Sequence, residues 1–386
     1  MLQIIPRLEA GGAELGALQV AERLVREGNR AVIASAGGRM VDQFEAVGAR
    51  HAHLPVATKN PAAMMANVGR IAALAREVDA DIIHARSRAP AWSALIAARR
   101  LGRRFVTTYH SDYAADGPIK RAYNSVMARG DAVIAVSQAI ADSIVRQYPT
   151  AEPRVRVIHR GVDPERFDPA IDPHRVAALR RSWGVADDVP IALVAGRVTP
   201  RKGHMAAVRA IRLTADRGVP PFALVCAGDD HQDKSGYRAS LMAAAQELGV
   251  SERLLLVGHV GDMPAAYAAA TVTLNVSSAE GFARVALESQ AMGVPVITAD
   301  HGPGREAVLA PPDVAPDEAT GFTVPFNDPE RLADALSAFL AMDEGARAAM
   351  GRRGSERVRS TYTIERLTKS TLEVYRELLE PLPFPR

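Results

Sequence analysis

Short apolar runs alternate with amphipathic helical stretches along nearly the whole chain, in two successive series. In the first, strand-like runs at 2–6, 30–36, 52–56, 81–85, 105–110 and 132–136 are separated by helical patterns at 13–27, 61–78, 90–100 and 119–128. Strands spaced by helices of this length close right-handed parallel units, so the pattern predicts an α/β fold with a doubly wound sheet covered on both faces. A second series opens at 191–196 and continues at 222–228, 254–258, 272–277, 295–299 and 322–325. It predicts a second Rossmann-like domain. Between the series, Pro164, Asp168-Pro169 and Asp172-Pro173 disfavour regular structure. The expected organisation is therefore an N-terminal domain over 1–163, a linker or hinge over 164–190 and a C-terminal domain over 191–363. The tail from Asp328 reads mainly as helix, and periodicity assigns its last helix, about 364–379, to neither domain. Ligands gather at the carboxyl ends of such strands, and two domains in series are expected to face each other across a cleft.

Composition narrows the function classes only modestly. Lys+Arg 47 against Asp+Glu 44 leaves a formal +3, which permits contact with anionic surfaces and does not call for nucleic acid. The one cysteine, Cys226, sits in an apolar run without a partner, so no intramolecular disulfide forms and no structural zinc site is expected. The start of the chain is too short and too poor in positive charge for a signal peptide, and no apolar run reaches the length of a membrane span. The expectation is a cytoplasmic protein.

Four segments carry candidate chemistry. In 280–288, Gly281 lets the chain leave the run 272–277 and turn into the helical pattern Val285, Leu287, Ala291, Met292. The amides of a helix N-terminus suit an anion such as a diphosphate. Glu280 and Glu288 would then lie roughly 12 Å apart along the axis on one side, matching two sugar rings flanking a diphosphate. The competing reading is a capping Glu280 and a solvated Glu288. The strand-to-helix loop 196–203 carries Arg197 and Lys202, a fork and a point charge that together suit a diphosphate or form only a basic surface loop. Nothing in the pattern singles out Arg201.

The first βα turn, with Gly11 and Gly12, can bring amides close to a phosphate or simply turn tightly. It is not the dinucleotide fingerprint, because Gly11, Gly12 and Gly16 break the G-x-G-x-x-G order and the second strand ends at Ser35 without an acidic residue. His110 stands at a strand end beside Ser111 and Asp112, where a polar role competes with a structural one. Asp229-Asp230-His231 lacks further ligands and reads as a loop, so no metal site is expected. Arg99, Arg100, Arg103 and Arg104, with Lys120 and Arg121, favour a helix C-terminus or steer the chain to anionic lipid; the 99–104 run lacks the interleaved aromatic residues that single-strand nucleic-acid binding would prefer.

Taken together, these motifs resemble the GT-B glycosyltransferases, and within them the retaining glycosyltransferase family 4. Segment 280–297 looks like that family's E-G-F-G-x-x-x-L-E-A-x-A-x-G-x-P-V-I signature. Gly12, His110, the Gly196-Arg197 and Lys202-Gly203 pairs, the 302–306 turn, Thr320-Gly321-Phe322 and Asp328-Pro329 extend the likeness along the chain. The resemblance implies a GT-B architecture whose final helix crosses back to the first domain. It also implies that Arg197 and Lys202 hold the donor diphosphate, that Glu280 contacts the transferred hexose and that Glu288 binds the nucleotide ribose. The backbone of Gly281 and Phe282 would meet sugar or phosphate, Gly12 would approach the phosphates, and His110 would position the donor sugar.

The implied activity is metal-independent, retaining transfer of a hexose from a UDP- or GDP-sugar to a glycan or lipid-linked acceptor. No cofactor and no protein nucleophile are expected. Ala283, Arg284, Ser289 and Gln290 depart from the family pattern and bear on donor-sugar preference. The narrower likeness is to bacterial transferases of lipopolysaccharide core and surface polysaccharide, working at the inner face of the cell membrane. The alternatives are a GT-B sugar-nucleotide epimerase or phosphorylase, and a noncatalytic nucleotide-sugar-binding protein.

Overall fold

A computed structural model describes residues 1–9, 11–113, 117–229 and 236–380. The chain divides into two compact units: Met1–Arg160 together with the C-terminal segment from Ile364, and Gly161–Thr363.

The first unit is built on a seven-stranded sheet of β1 (Leu2–Ile4), β2 (Val32–Ser35), β3 (Arg50–His53), β4 (Ile82–Ala85), β5 (Arg104–Tyr109), β6 (Ala132–Ala135) and β7 (Val155–Val157). The order is β3-β2-β1-β4-β5-β6-β7, with every pair parallel. Strand order reverses between β1 and β4, the switch point at which doubly wound folds bind ligands. The apolar strands are buried on both faces, as the continuous runs predict. β3 starts two residues earlier than the apolar pattern suggests, because the Arg50 amide donates to the Ala31 carbonyl and opens the edge pairing. The helix expected at 119–128 is α-helical over Pro118–Asn124 and then tightens into a 3₁₀ turn, Ser125–Arg129.

Local signals set the helix ends. Asn60 accepts hydrogen bonds from the Ala62 and Ala63 amides ahead of Pro61, starting the helix Pro61–Glu77. Gly102, left-handed at φ 63°, ends Arg88–Leu101. The terminal helix Ile364–Leu379 packs on Gly12–Arg26, burying Leu372, Val374 and Tyr375 in the first unit's core. Tyr375 reaches further, its hydroxyl lying 2.7 Å from His84 Nδ1, while His84 Nε2 lies 2.7 Å from Thr108 Oγ1. A buried polar chain thus pins this helix beneath β4 and β5.

The second unit carries β8 (Ile191–Ala195), β9 (Ala223–Ala227), β10 (Leu254–Gly258), β11 (Val272–Asn275), β12 (Val296–Ala299) and β13 (Gly321–Val324). Their order is β10-β9-β8-β11-β12-β13, again all parallel. Its switch point lies between β8 and β11. Cys226 is fully buried in β9, and burial pushes its thiol up to about 12, which leaves it unreactive.

The proline and aspartate cluster behaves differently from the irregular linker expected at 164–190. Asp172 caps the helix Pro173–Trp183 by accepting from the His174 amide, Pro173 occupies the first turn, and Gly184 ends it at φ 69°. Proline and aspartate start a helix here, because a missing N–H and an accepting carboxylate are what a first turn needs. The helix packs on Met263–Ala269 within the second unit, with Arg175 gripping both Asp262 carboxylate oxygens through Nε and Nη2 at 2.9 and 2.7 Å. Asp230 and His231 lie outside the described residues. No helix of the described residues is long and apolar enough to cross a membrane.

Candidate active site

In the second unit, the loops after β8 and β11 meet at the switch point. Gly196 turns the chain out of β8 at φ 128°, and a 3₁₀ turn, Pro200–Lys202, leads into the helix His204–Asp216. Gly203, at φ 77°, lies so close to the opposite loop that a Cβ there would stand 2.3 Å from the Val276 carbonyl oxygen. Only glycine lets the basic loop lie against the loop after β11. Arg201 adds two ties, accepting from the Ser278 amide at 2.8 Å and donating Nη1 to the Ala279 carbonyl at 3.1 Å. Sequence reasoning gave Arg201 no task; it fastens the two loops together.

That fastening brings Lys202 and Glu280 into an ion pair, Nζ to Oε1 at 2.6 Å, with side chains 17% and 15% exposed. Burial alone would raise the Glu280 carboxyl. The Lys202 charge and hydrogen bond, with Arg201 nearby, outweigh it and hold the carboxyl below its ordinary value. Lys202 keeps two N–H donors beyond the one given to Glu280. Arg197, on the same loop, is exposed and forms no ion pair with a described residue. His204 is held to about 4 by burial and adds no charge at neutral pH.

Glu280 is not on the helix. The helix runs Arg284–Ala291 with Ala283 at its N-cap, so the 12 Å separation along one axis, and a capping role for Glu280, are both corrected. The chain bends at Gly281 and Phe282 before the helix begins, and the buried Phe282 ring packs edge-on against Tyr362 at 5.1 Å, anchoring that bend. The Phe282 side chain is therefore core. Glu288 lies in the helix but is not solvated, since Tyr267 Oη donates to its Oε2 at 3.0 Å and Arg284 Nη2 to its Oε1 at 2.8 Å.

The first unit holds the other candidates. His110 follows β5, and its Nδ1 lies 3.1 Å from Arg160 Nη2. Arg160, just beyond β7, also donates Nη1 to the Gly12 carbonyl. A Cβ on Gly12 would stand 3.1 Å from that Nη1, so glycine leaves room for the guanidinium. Guanidinium has no acceptor, so His110 Nδ1 must accept, and the neutral ring carries its proton on Nε2. Burial, then the charges of Arg160 and Arg86, hold His110 well below its ordinary value and keep it neutral. Nε2 has no partner among the described residues, which leaves one N–H donor uncommitted. Arg160 was missed from sequence; the strand-end logic that selected His110 applies equally to a basic residue beyond β7.

Two parallel-sheet Rossmann-like units, each with polar groups beyond the carboxyl ends of its strands, define a GT-B glycosyltransferase architecture. The model of Glycosyltransferase Family 4 matches residues 10–166, and that of Glycosyl transferases group 1 matches residues 176–357. The chain belongs to this family. It is 33% identical over 259 residues to a D-inositol 3-phosphate glycosyltransferase of Saccharomonospora viridis, covering 66% of this chain and 57% of that protein. It is 30% identical over 316 residues to the D-inositol 3-phosphate glycosyltransferase of Acidothermus cellulolyticus, covering 78% and 67%. Against the first of these relatives, the chain spans less than two thirds of the relative's own length.

Among solved structures it superposes on a glycosyltransferase from Rickettsia africae with TM-score 0.89 and 28% identity, over 99% of this chain and 98% of that one. Anabaena Alr3699/HepE in complex with UDP-glucose gives 0.82 and 22%, over 97% and 99%. WaaG, a glycosyltransferase involved in lipopolysaccharide biosynthesis, gives 0.73 and 17%, over 97% and 99%. The last two show the shared fold.

Proposed function

We propose that this protein is a retaining glycosyltransferase that moves a hexose from a nucleotide diphosphate sugar to a glycan or lipid-linked acceptor. The observation that carries the reading is the Lys202–Glu280 pair at the switch point of the second sheet, beside the exposed Arg197. As the bond from the anomeric carbon to the diphosphate breaks, its electrons pass to the departing phosphate oxygen. The two free Lys202 donors, Arg197 and the first amides of Arg284–Ala291 stabilise that charge as it develops. The acceptor hydroxyl attacks from the same face and its proton leaves with the phosphate. Glu280, ionised and tied to Lys202, accepts from a hydroxyl of the transferred sugar and Glu288 takes the ribose, while the Nε2–H of His110 is the donor that the first unit offers to a sugar hydroxyl. With two cations beside the diphosphate, turnover is proposed to need no metal.

The UDP-glucose bound by Alr3699/HepE supports a nucleotide sugar as donor class. The likeness to WaaG favours an acceptor on the route to surface polysaccharide. The D-inositol 3-phosphate glycosyltransferases favour a second acceptor reading, a phosphorylated cyclitol. The test is incubation with UDP- and GDP-sugars and each acceptor class, with and without EDTA. Nucleoside diphosphate should appear together with a glycosylated product of unchanged anomeric configuration, at equal rates in EDTA. Interconverted donor would indicate an epimerase, sugar 1-phosphate formed with orthophosphate a phosphorylase, and binding without turnover a noncatalytic protein.

Peripheral contact with anionic membrane at the inner face of the cell membrane is proposed for the first unit. It is supported by a groove of about 600 Å³ lined by Trp92, Leu95, Ile96, Arg99, Arg100 and Arg129. Arg129 stacks on Trp92 at 5.1 Å, so an aromatic ring lies among these cations. Sedimentation with phosphatidylglycerol vesicles at low salt should carry the protein down, and Arg100→Glu with Arg129→Glu should release it. Failure of the wild type to sediment refutes the contact.

A further inference from the structure

Glu288 is held more firmly than a helical surface glutamate needs to be. Tyr267, fully buried, sits on the helix Met263–Ala269 with its ring packed 6.1 Å from that of Phe167, so its hydroxyl is set by packing. That hydroxyl donates to Glu288 Oε2 at 3.0 Å. Burial, then the adjacent carboxylate, push the phenol well above its ordinary value, so it stays a donor. On the other side Arg284, one turn earlier, donates Nη2 to Oε1 at 2.8 Å. The Glu288 side chain keeps 13% exposure.

An ionised carboxylate offers about four acceptor positions. The two protein donors take one on each oxygen, which leaves one on each oxygen. Two free acceptors on adjacent oxygens match two adjacent hydroxyls, and an acidic residue holding a ribose hydroxyl is the usual arrangement in nucleotide-binding α/β folds. We propose that Tyr267 and Arg284 are positioning residues that aim the Glu288 carboxylate at the 2′ and 3′ hydroxyls of the donor ribose, and so set discrimination between ribo- and deoxyribonucleotides. The inference rests on the reading of Glu288 as the ribose ligand. Arg284 departs from the family pattern, so this half of the clamp belongs to this chain's own sequence.

Calorimetric titration of the full chain with UDP, GDP and ADP selects the nucleotide, whose 2′-deoxy counterpart is then titrated into wild type, Tyr267→Phe and Arg284→Leu. Wild type should favour the ribo form by about 10-fold or more, the worth of a hydrogen bond to a charged group. Each variant should compress that ratio to about 3-fold or less, mainly by weakening the ribo form, with 2′-deoxy affinity changed by less than about 2-fold. Tyr267→Phe keeps the ring; if thermal unfolding shows that it loses the fold, Arg284→Leu and Arg284→Lys carry the test from the partly exposed side. Full discrimination in both variants overturns the positioning roles and leaves the ribose contact standing. A wild type that binds nucleotide without ribose preference overturns the contact and the inference together. A wild type that binds none of the three nucleotides overturns the proposed function itself.

Discussion

Lys202→Ala is expected to lower transfer by about 10²–10³-fold, because it removes a donor aimed at charge that appears only as the diphosphate departs. Release of nucleoside diphosphate at saturating donor is the measurement. Turnover within about 3-fold of wild type refutes the role. The same change leaves the Glu280 carboxylate buried without its counterion, at a cost of about 3 kcal/mol, the low end for a pair whose side chains retain 17% and 15% exposure. Its pH dependence has a definite sign. In wild type the depressed Glu280 carboxyl contributes stability above the ordinary value of 4.5, lost as pH falls through its lower folded value. In Lys202→Ala, burial without the cation raises that carboxyl, so the variant is penalised most at neutral pH and the gap closes below about 4.5. Urea unfolding at neutral and acid pH reads this directly. The double change Lys202→Met with Glu280→Gln should recover most of the stability and none of the activity, which separates the two effects. Arg197→Ala should cost less in stability, since an exposed cation without an ion pair contributes little to the fold.

Arg160→Leu is the second large effect. The Gly12 carbonyl and His110 Nδ1 both lose a charged donor in a buried setting, so a loss of about 2–4 kcal/mol is expected in urea unfolding. Transfer should fall by about 10–10²-fold, because His110 no longer has the partner that forces its proton onto Nε2. Nitrogen NMR supplies a readout that a structural role would not move. Wild-type His110 should show Nδ1 bare and Nε2 protonated, and the variant a mixture. Arg160→Lys, which keeps a cation but not the fork, should recover only part of the loss. An unchanged tautomer together with unchanged turnover refutes the role assigned to Arg160.

The two doubly wound sheets were legible in the sequence because parallel strands buried on both faces must be short apolar runs, and the helices between them must be amphipathic. Fine boundaries were less legible. β3 begins at Arg50 through an edge hydrogen bond that carries no hydrophobic signal, and the Asp172-Pro173 pair reads as a breaker until a helix is seen to start on it. At the candidate site, glycines and charges at strand ends pointed to Lys202, Glu280, Glu288 and His110. Arg201 and Arg160 were invisible, because one works through backbone groups of a loop 78 residues away and the other through a carbonyl 148 residues away. Tyr267 was hidden for the same reason, lying 21 residues from Glu288 inside an apolar helix.

By itself, the sequence determined the α/β class, the two units and the residue types at the strand ends, since burial and periodicity are local properties that a chain writes in its own order. Only the tertiary structure decided which of those charges meet. It closed Lys202 on Glu280 by letting Gly203 slide beneath Val276, and it set Glu280 off the helix with a bend that Phe282, packed against Tyr362, anchors. It also turned Glu288 from a solvated glutamate into a clamped one. Those pairings depend on close approach between segments far apart in the chain, and no local pattern encodes a distance.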